Sequence, residues 1–252
     1  MRIIERTSKW AKWARRCASF ALPLSILPVL LHRNQMLSSE AFEILLGLAI
    51  LLALLAVFCG IGAYIRLWQT GDRGWGKASF GIFVGLLCLS PIAYGIFAGA
   101  KYPLINDVST SYARPLDLVV KPDDEISILS AQNRAKINLA FPGVQTRFYD
   151  LSPEKVFALV ENMVTAREWD MRVRRAPVVN GRPGQINALA MTFMGWRDEV
   201  ALRVERAGQA TRVDMRSVSL NGIGDLGANG KRVEAFLSDL DALVSEQLAQ
   251  AQ

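Results

Sequence analysis

The residues that could carry out chemistry are few, and two carboxylates lead them. Asp107 lies in the polar stretch Asn106-Asp107-Val108-Ser109-Thr110, and Asp225 lies in Gly224-Asp225-Leu226-Gly227-Ala228-Asn229. Two carboxylates can share acid–base work if the fold brings them together. The simpler interpretation, which the sequence favours, is that Asp107 fixes its own segment and Asp225 caps a helix.

The commonest general base and the commonest zinc ligands are absent from the C-terminal half of the chain. The single histidine is His32, and the three cysteines are Cys17, Cys59 and Cys88, all before residue 100. A serine in the C-terminal half therefore has no histidine to activate it. The sequence also lacks a GxGxxG, Walker, HExxH or EF-hand pattern. We therefore predict no catalytic residue, no metal and no cofactor.

A long apolar stretch sets the class of the protein. Residues 44–65 contain no charge, proline, asparagine or glutamine, and a helix of that length reaches about 33 Å, enough for a hydrocarbon layer of about 30 Å. Residues 17–31 and 78–100 form two further apolar stretches. Pro23 and Pro28 divide the first of them, which indicates a short kinked span, with a signal peptide or a re-entrant segment as the alternatives. We predict about three transmembrane helices within residues 1–100.

The charge distribution predicts the orientation. Residues 1–100 carry ten basic and four acidic side chains, whereas residues 101–252 carry 19 of each. The positive excess lies beside the spans, where topology explains it better than a nucleic-acid partner does. The basic N-terminus is expected in the cytoplasm, and three spans then place residues 101–252 outside it, in the periplasm if the membrane is a bacterial inner membrane. Two spans would place them in the cytoplasm.

Glycine pairs in the third span could mediate helix contacts. Gly81/Gly85 and Gly95/Gly99 have the spacing that lets two helices approach closely. They either pack against the other spans of the same chain or form a self-association surface.

Residues 101–144 and 145–252 differ in pattern. Residues 101–144 contain four prolines and the acidic cluster 123–125, and they predict an extended connector. On composition, residues 106–110 favour turns in which side chains bond the neighbouring backbone.

Residues 145–252 predict an α+β domain in the order strand, helix, four strands, helix. Residues 146–150 read as the first strand, Ser152-Pro153-Glu154 as a capped helix start, residues 186–196 as one of the four strands and residues 226–248 as the last helix. The fold class is therefore an α-helical membrane region followed by an antiparallel sheet with helices packed on one face.

The last predicted hairpin has a definite register. A two-residue turn at Gly208-Gln209 sets Glu205 opposite Arg212 and Arg203 opposite Asp214 on one face, and pairs Val204 with Val213 on the other. This register favours Asp214 as an ion-pair partner on the sheet rather than a catalytic acid.

Four motifs resemble a known family. They are Asn106–Thr110, Phe141-Pro142-Gly143, Arg212-Val213-Asp214-Met215-Arg216-Ser217, and Gly224–Asn229 with Arg232. Together they resemble, over about residues 100–242, the bacterial and plastid family called domain of unknown function 1499. The resemblance implies no established activity. It implies these candidate ligand-binding or motif residues: Asn106, Asp107, Ser109, Thr110, Asp214, Arg216, Asp225, Asn229 and Arg232.

Three functional hypotheses follow. The favoured one is a non-enzymatic, membrane-anchored envelope protein whose soluble domain binds a lipid, a small apolar ligand or an envelope partner. The second is an enzyme that uses carboxylates at the membrane surface, and the third is a structural subunit of a membrane complex.

Overall fold

The chain folds into two compact units, Met1–Ala98 and Gly99–Gln252. The computed structural model describes residues 6–120, 131–178, 181–221 and 224–250. The predicted acidic cluster 123–125 lies outside the described residues. Long apolar helices precede an antiparallel sheet with helices, so the predicted fold class is confirmed.

The first unit consists of helices long and apolar enough to cross a membrane. They are α1 (Lys9–Arg33), α2 (Ser39–Thr70) and α3 (Trp75–Gly99). The predicted spans 17–31, 44–65 and 78–100 are shorter than these helices because hydropathy marks only the apolar part. Flanking basic and polar residues continue each helix past that part.

The first span is one helix despite its prolines. Pro23 and Pro28 both lie inside α1. The ring of a proline removes one backbone donor, and the side-chain hydroxyl of Ser25 bonds the Ala21 carbonyl at 2.9 Å in this part of the helix.

Small residues line the contacts within the first unit. Those buried on α1 and α2 are Ala11, Ala14, Ala18, Ala21, Ala49, Ala53, Ala56 and Ala63. A Cβ added at Gly81 would lie 2.6 Å from the Ala14 Cβ, and one at Gly85 would lie 2.9 Å from the Ala53 carbonyl oxygen. Gly81 and Gly85 thus pack against helices of their own chain, which is the first of the two predicted alternatives. A Cβ at Gly95 would meet nothing within 4 Å, so this glycine remains open.

The second unit is a sheet with helices. Its elements are β1 (Asp107–Ser109), α4 (Ala131–Ala140), β2 (Arg147–Tyr149), α5 (Pro153–Ala166), β3 (Asp170–Arg175), β4 (Gly184–Met191), β5 (Arg197–Ala207), β6 (Ala210–Ser219) and α6 (Ala228–Gln250). Within the described residues the strand order is β1-β6-β5-β4-β3, and β2 also pairs with β6. All pairings are antiparallel.

The predicted hairpin register is confirmed. Arg203 pairs with Asp214, Val204 with Val213 and Glu205 with Arg212 in the β5–β6 ladder. Gly208 has a φ of 65°, a left-handed conformation that a glycine adopts without steric cost.

One face of the sheet, the helix face, packs against α5 and α6. Ile186, Leu202 and Met215 are fully buried there against residues such as Phe157 and Phe236 of the two helices. Ser152 caps α5 as predicted, because its side chain accepts the backbone N–H of Lys155. This face is the hydrophobic core of the second unit.

Residues 101–144 form more regular structure than the predicted connector. They contribute β1, which pairs with residues 216–218, and α4. The polar stretch 106–110 is therefore a strand and its continuation, where a turn was predicted. The physical reason is the length of β6: β2 covers only residues 211–213, and β1 satisfies the rest of that edge.

Two predicted boundaries shift at residues with positive φ. The strand predicted over 186–196 ends at Met191, since Gly195 has φ 93° in the following turn. The last helix begins at Ala228, two residues later than predicted, because Leu226 and Gly227 have φ values of 53° and 84°.

Candidate functional site

The second face of the sheet, the polar face, carries buried ionic and amide side chains. The cross-strand register places Glu199, Asp214 and Arg216 on it together with Asn187 of β4. Residues 110–120, which we call the strap, lie over this face without forming a helix or a strand. The strap has no ladder of its own for its backbone groups, so these must bond side chains or water.

Asp107 and Arg216 form a buried ion pair. The Arg216 Nε donates to Asp107 Oδ1 at 3.1 Å, and Nη2 donates to Oδ2 at 2.9 Å. The remaining nitrogen, Nη1, donates to the Leu116 carbonyl of the strap at 2.8 Å. This is the bidentate geometry that makes arginine–carboxylate pairs strong, and it ties β1, β6 and the strap together.

Asp214 is the centre of a second cluster. Its carboxylate is fully buried and accepts from Thr146 Oγ1 at 2.6 Å, Thr110 Oγ1 at 3.3 Å and Arg203 Nη2 at 2.7 Å. Burial alone would raise the pKa of Asp214. The hydrogen bonds from Thr146, Arg203 and Arg212 outweigh burial, so the pKa lies below its ordinary value. Asp214 is therefore an ionised structural anchor, in agreement with the predicted ion-pair role.

A third cluster, around Glu199, did not emerge from the sequence. Glu199 is fully buried and accepts the backbone N–H of Val119 at 2.6 Å and of Val120 at 2.9 Å. Asn187 donates to Glu199 at 3.1 Å and to the Asp117 carbonyl at 2.9 Å. Alternation along β5 was the available signal, because it puts Glu199 on the same face as Arg203. The strap that Glu199 binds has no sequence signature.

Asn229 organises a fourth cluster at the start of α6. Its Nδ2 donates to the Asn106 carbonyl at 3.2 Å and to Ser219 at 2.9 Å, and its Oδ1 accepts from Ser217 at 2.6 Å. Arg232 donates to Asn229 Oδ1 at 2.7 Å and to Asp198, another residue missed from the sequence, at 2.6 Å. The cluster joins β5, β6 and the residue that precedes β1 to the first turn of α6.

Asp225 caps α6 as predicted. Its two oxygens accept the backbone N–H groups of Gly227 at 2.8 Å and Asn229 at 2.6 Å. Burial raises the pKa of Asp225, these two N–H groups lower it, and the charge of Asp198 adds to the rise. The net pKa lies above the ordinary value, because desolvation of the charged form dominates.

The carboxylates of Asp107 and Asp225 are held by different partners. Asp107 bonds Arg216 on the polar face, and Asp225 bonds the backbone at the N-terminus of α6. Within the described residues, no cluster of His, Cys, Asp or Glu has the arrangement of a metal site. The bonds of Asp107 and Asp225 are those of structural groups: Asp107 fixes its own segment, and Asp225 caps a helix.

A surface depression of about 350 Å³, which we call the motif cleft, lies beside these clusters. Its lining comprises Ser109, Thr110, Tyr112, Asn138, Pro142, Val144, Gln145 and Thr146. The clusters thus bring two of the candidate residues, Ser109 and Thr110, to the cleft and leave the others in the supporting network. The hydroxyls of Thr110 and Thr146 are engaged by Asp214.

The carboxamides of Asn138 and Gln145 are the open polar groups of the motif cleft. Asn138 lies on α4 and Gln145 lies just before β2, and both are exposed. Neither side chain makes a hydrogen bond within the part of the chain that the structure describes. Tyr112 accepts the Ser109 backbone N–H at 3.4 Å, which leaves its hydroxyl proton available. The lining has no charged side chain, so it suits a neutral hydrogen-bonding group.

The fold and the clusters together define a class: an α+β domain, preceded by helices apolar enough to cross a membrane, in which motif side chains bond the backbone of the same domain. Residues 117–240 match the family described as "Protein of unknown function (DUF1499)", which confirms the family resemblance over that range. The first motif, residues 106–110, lies outside the matched range. No curated protein and no solved structure gives a significant match to the chain.

Proposed function

We propose that the protein is a membrane-anchored, non-catalytic binding module whose motif cleft holds the neutral, hydroxyl-rich head group of a lipid. One observation carries the proposal: the residues of two motifs meet at the motif cleft, where Ser109, Thr110 and Pro142 lie together. A depression of comparable volume between α5 and α6, lined by Lys155, Asn162 and Gln247 among others, includes no motif residue.

The chemistry of the lining favours a neutral polar head over an ion. Two carboxamides each supply a donor and an acceptor, and the Tyr112 hydroxyl adds a donor. Sugar and glycerol hydroxyls are both donors and acceptors, and they match such a mixed set. Pro142 and Val144 provide apolar contact for the carbon face of the same head group. The volume lies at the lower end of the range of ligand pockets, about 300–1,000 Å³.

We propose a non-catalytic function because each candidate acid already bonds a structural partner. Asp107, Asp214 and Asp225 each bond a structural partner, and the sequence after residue 100 contains neither histidine nor cysteine. A general base needs a lone pair that is directed at the substrate proton. These carboxylate lone pairs are directed at arginines, threonine hydroxyls and backbone amides.

The proposal also includes the predicted orientation, with the N-terminus in the cytoplasm and residues 101–252 in the periplasm of a bacterial inner membrane. The basic N-terminal arm and an odd number of spans support it. A reporter enzyme fused after Gln252 tests this part. Two reporters are compared, one that is active only after export and one that is active only in the cytosol. The exported reporter should be active, and activity of the cytosolic reporter would contradict the orientation.

Native mass spectrometry of the full-length chain tests ligand binding. The wild-type protein, extracted in a mild detergent, should carry one lipid-sized adduct. Asn138→Ala with Gln145→Ala should lose the adduct and keep the unfolding midpoint of the wild type, because both side chains are exposed and make no hydrogen bond to another described residue. Asn162→Ala is the matched control, an exposed asparagine in the depression of similar volume. An adduct that survives the double variant would contradict binding in the motif cleft.

A further inference from the structure

Two lysines that are far apart in the sequence lie beside the same aromatic ring. The Lys101 Nζ is 5.0 Å from the centroid of the Tyr102 ring, and the Lys231 Nζ is 4.5 Å from it. Tyr102 itself stacks on Phe141, with centroids 5.1 Å apart. The ring is thus fixed against the core, and it holds two ammonium groups on one small area of the second unit.

Among the described residues, these lysines lack the acidic partners that several arginines of the same unit have. Arg167 bonds Asp239, Arg172 bonds Asp170 and Arg174 bonds Glu161. For Lys101 and Lys231, the described residues include no acid within ion-pair distance. Two like charges without a counter-ion repel each other, so an external anion would stabilise this arrangement.

The position of Lys231 on its helix adds to the repulsion. Lys231 is the fourth residue of α6, and the first turn of that helix contains no acid. The N-terminal end of a helix carries a partial positive charge, so a lysine there is unfavourable by itself. The neighbouring cation, Arg232, is compensated by Asp198, whereas Lys231 is exposed.

Two exposed leucines lie on the chain segments that meet at the Tyr102 ring. Leu104 is 76% exposed and Leu226 is 42% exposed. A Cβ at Gly224 would lie 3.2 Å from the Leu104 side chain, and Leu226 precedes Gly227, whose Cβ would touch the Tyr102 ring. Leu226 has a φ of 53°, a left-handed conformation that costs energy for a residue with a side chain. The fold therefore tolerates strain at a position that presents an apolar side chain to the surface.

The sequence connects this surface directly to the last apolar helix. Lys101 follows Gly99, the last residue of α3, by two residues, and α3 is long and apolar enough to cross a bilayer. Two residues of extended chain span only about 7 Å. Lysine ammonium groups beside exposed apolar side chains are the combination that binds the head-group region of a bilayer.

We propose that the surface formed by Lys101, Tyr102, Leu104, Leu226 and Lys231, the lysine patch, docks on an anionic bilayer. The two ammonium groups bind lipid phosphates, and the two leucines enter the boundary between head groups and acyl chains. The proposal is independent of the motif cleft and of its neutral ligand, since none of the five residues lines that cleft.

Lysine labelling of the full-length chain in nanodiscs tests the proposal. The rate of reaction with an amine-directed reagent is measured at each lysine by mass spectrometry, in discs of neutral phosphatidylcholine and in discs that also contain phosphatidylglycerol. We expect labelling of Lys231 to slow about fivefold in the anionic discs, since a basic residue near such a surface gains about that factor, and to recover at high salt. Lys155, exposed on α5, is the control and should react at one rate throughout. The result is judged on Lys231 alone. Lys101 directly follows α3, so its labelling could be slowed by the bilayer without any docking of the second unit.

Variants show whether the lysine patch, rather than another part of the protein, causes the protection of Lys231 from labelling. Leu226→Gly relieves the backbone strain, so it should leave the fold intact while it weakens the protection of Lys231. Asn138→Ala with Gln145→Ala should leave the protection unchanged, because the motif cleft has no part in it. Equal rates for Lys231 in the two kinds of disc would overturn the proposal. Protection that persists in lipid-free detergent and grows with protein concentration would also overturn it, in favour of a second copy of the chain.

Discussion

The two faces of the sheet are both buried, but they are buried in different ways. The helix face packs apolar side chains such as Leu202 and Met215 against α5 and α6, whose backbone groups are satisfied within the helices. The polar face lies under the strap, residues 110–120, whose backbone has no such pattern. There the sheet supplies the missing partners from its own side chains.

Several bonds of the polar face have one form: a polar side chain of the sheet binds a backbone group of the strap. Glu199 accepts from Val119 and Val120, Asn187 donates to the Asp117 carbonyl, and Arg216 donates to the Leu116 carbonyl. Arg203 donates to the Arg114 carbonyl at 2.9 Å. Arg216 of the third motif, together with three residues outside the motifs, thus takes the place of secondary structure for an irregular segment.

This comparison predicts the largest loss of stability on the helix face. Phe236 is fully buried and stacks on Trp169 with centroids 5.6 Å apart. Phe236→Ala should lower the free energy of unfolding by about 3–5 kcal/mol, because it removes apolar contact and leaves a cavity. Chemical denaturation of the full-length protein in detergent, followed by near-ultraviolet circular dichroism, measures this loss. A loss below about 1 kcal/mol would mean that the helix face is not the main hydrophobic core.

A smaller loss with a different local signature is expected at Asp214 on the polar face. Asp214→Asn keeps the shape of the side chain but removes the charge that Arg203 and Arg212 face. Bonds to charged groups contribute about 1.5–3 kcal/mol, and we expect a loss in that range. Limited proteolysis should then cut first within the strap. Initial cleavage in α5 or α6 would contradict the coupling of Asp214 to the strap.

A local effect is expected at Glu199. Glu199→Gln retains one oxygen acceptor but weakens the bonds to the amides of Val119 and Val120. Hydrogen exchange at these two amides should accelerate about tenfold, which corresponds to about 1.4 kcal/mol of local opening. The amides of β5 and β6 should exchange as in the wild type. Uniform acceleration throughout the sheet would show that Glu199 supports the whole sheet rather than the strap.

The smallest predicted effects concern pH, and they have opposite signs for two acids. The pKa of Asp214 is lowered in the folded protein, so its contribution to stability is present above the ordinary carboxyl pKa and is lost as the pH falls toward the folded value. The pKa of Asp225 is raised by burial, so its charged form costs stability at neutral pH and protonation recovers it as the pH falls. Asp214→Asn should therefore reduce the acid sensitivity of the unfolding midpoint, and Asp225→Asn should slightly increase it. Equal shifts in both variants would contradict these signs.

The helix face could be predicted from the sequence, because its information is local. Alternation through Val200, Leu202 and Val204 and a two-residue turn at Gly208 determine the register of the β5–β6 hairpin, and the capped start at Ser152 places α5. The membrane helices follow from composition in the same way. A regular spacing of apolar residues identifies a helix or strand that buries the same side along its whole length.

The polar face could be predicted only in part, because its partners are remote in sequence. The motifs single out Asp107 and Arg216 as separate residues, but their bond joins positions 109 residues apart. The strap and β1 have no periodicity, and β1 exists because β2 leaves part of the β6 edge uncovered. Asn138 and Gln145, the open groups of the motif cleft, lie outside every motif and have no signal in a single sequence.

Photo-crosslinking at position 138 in living membranes tests most directly whether the motif cleft holds a lipid head group. A photoreactive amino acid at this position, in the full-length chain, is compared with the same amino acid at position 162 in the depression between α5 and α6. We predict a lipid with a neutral, hydroxyl-rich head on the tryptic peptide that contains residue 138, and none at residue 162. Equal lipid capture at both positions, or capture at neither, would contradict it.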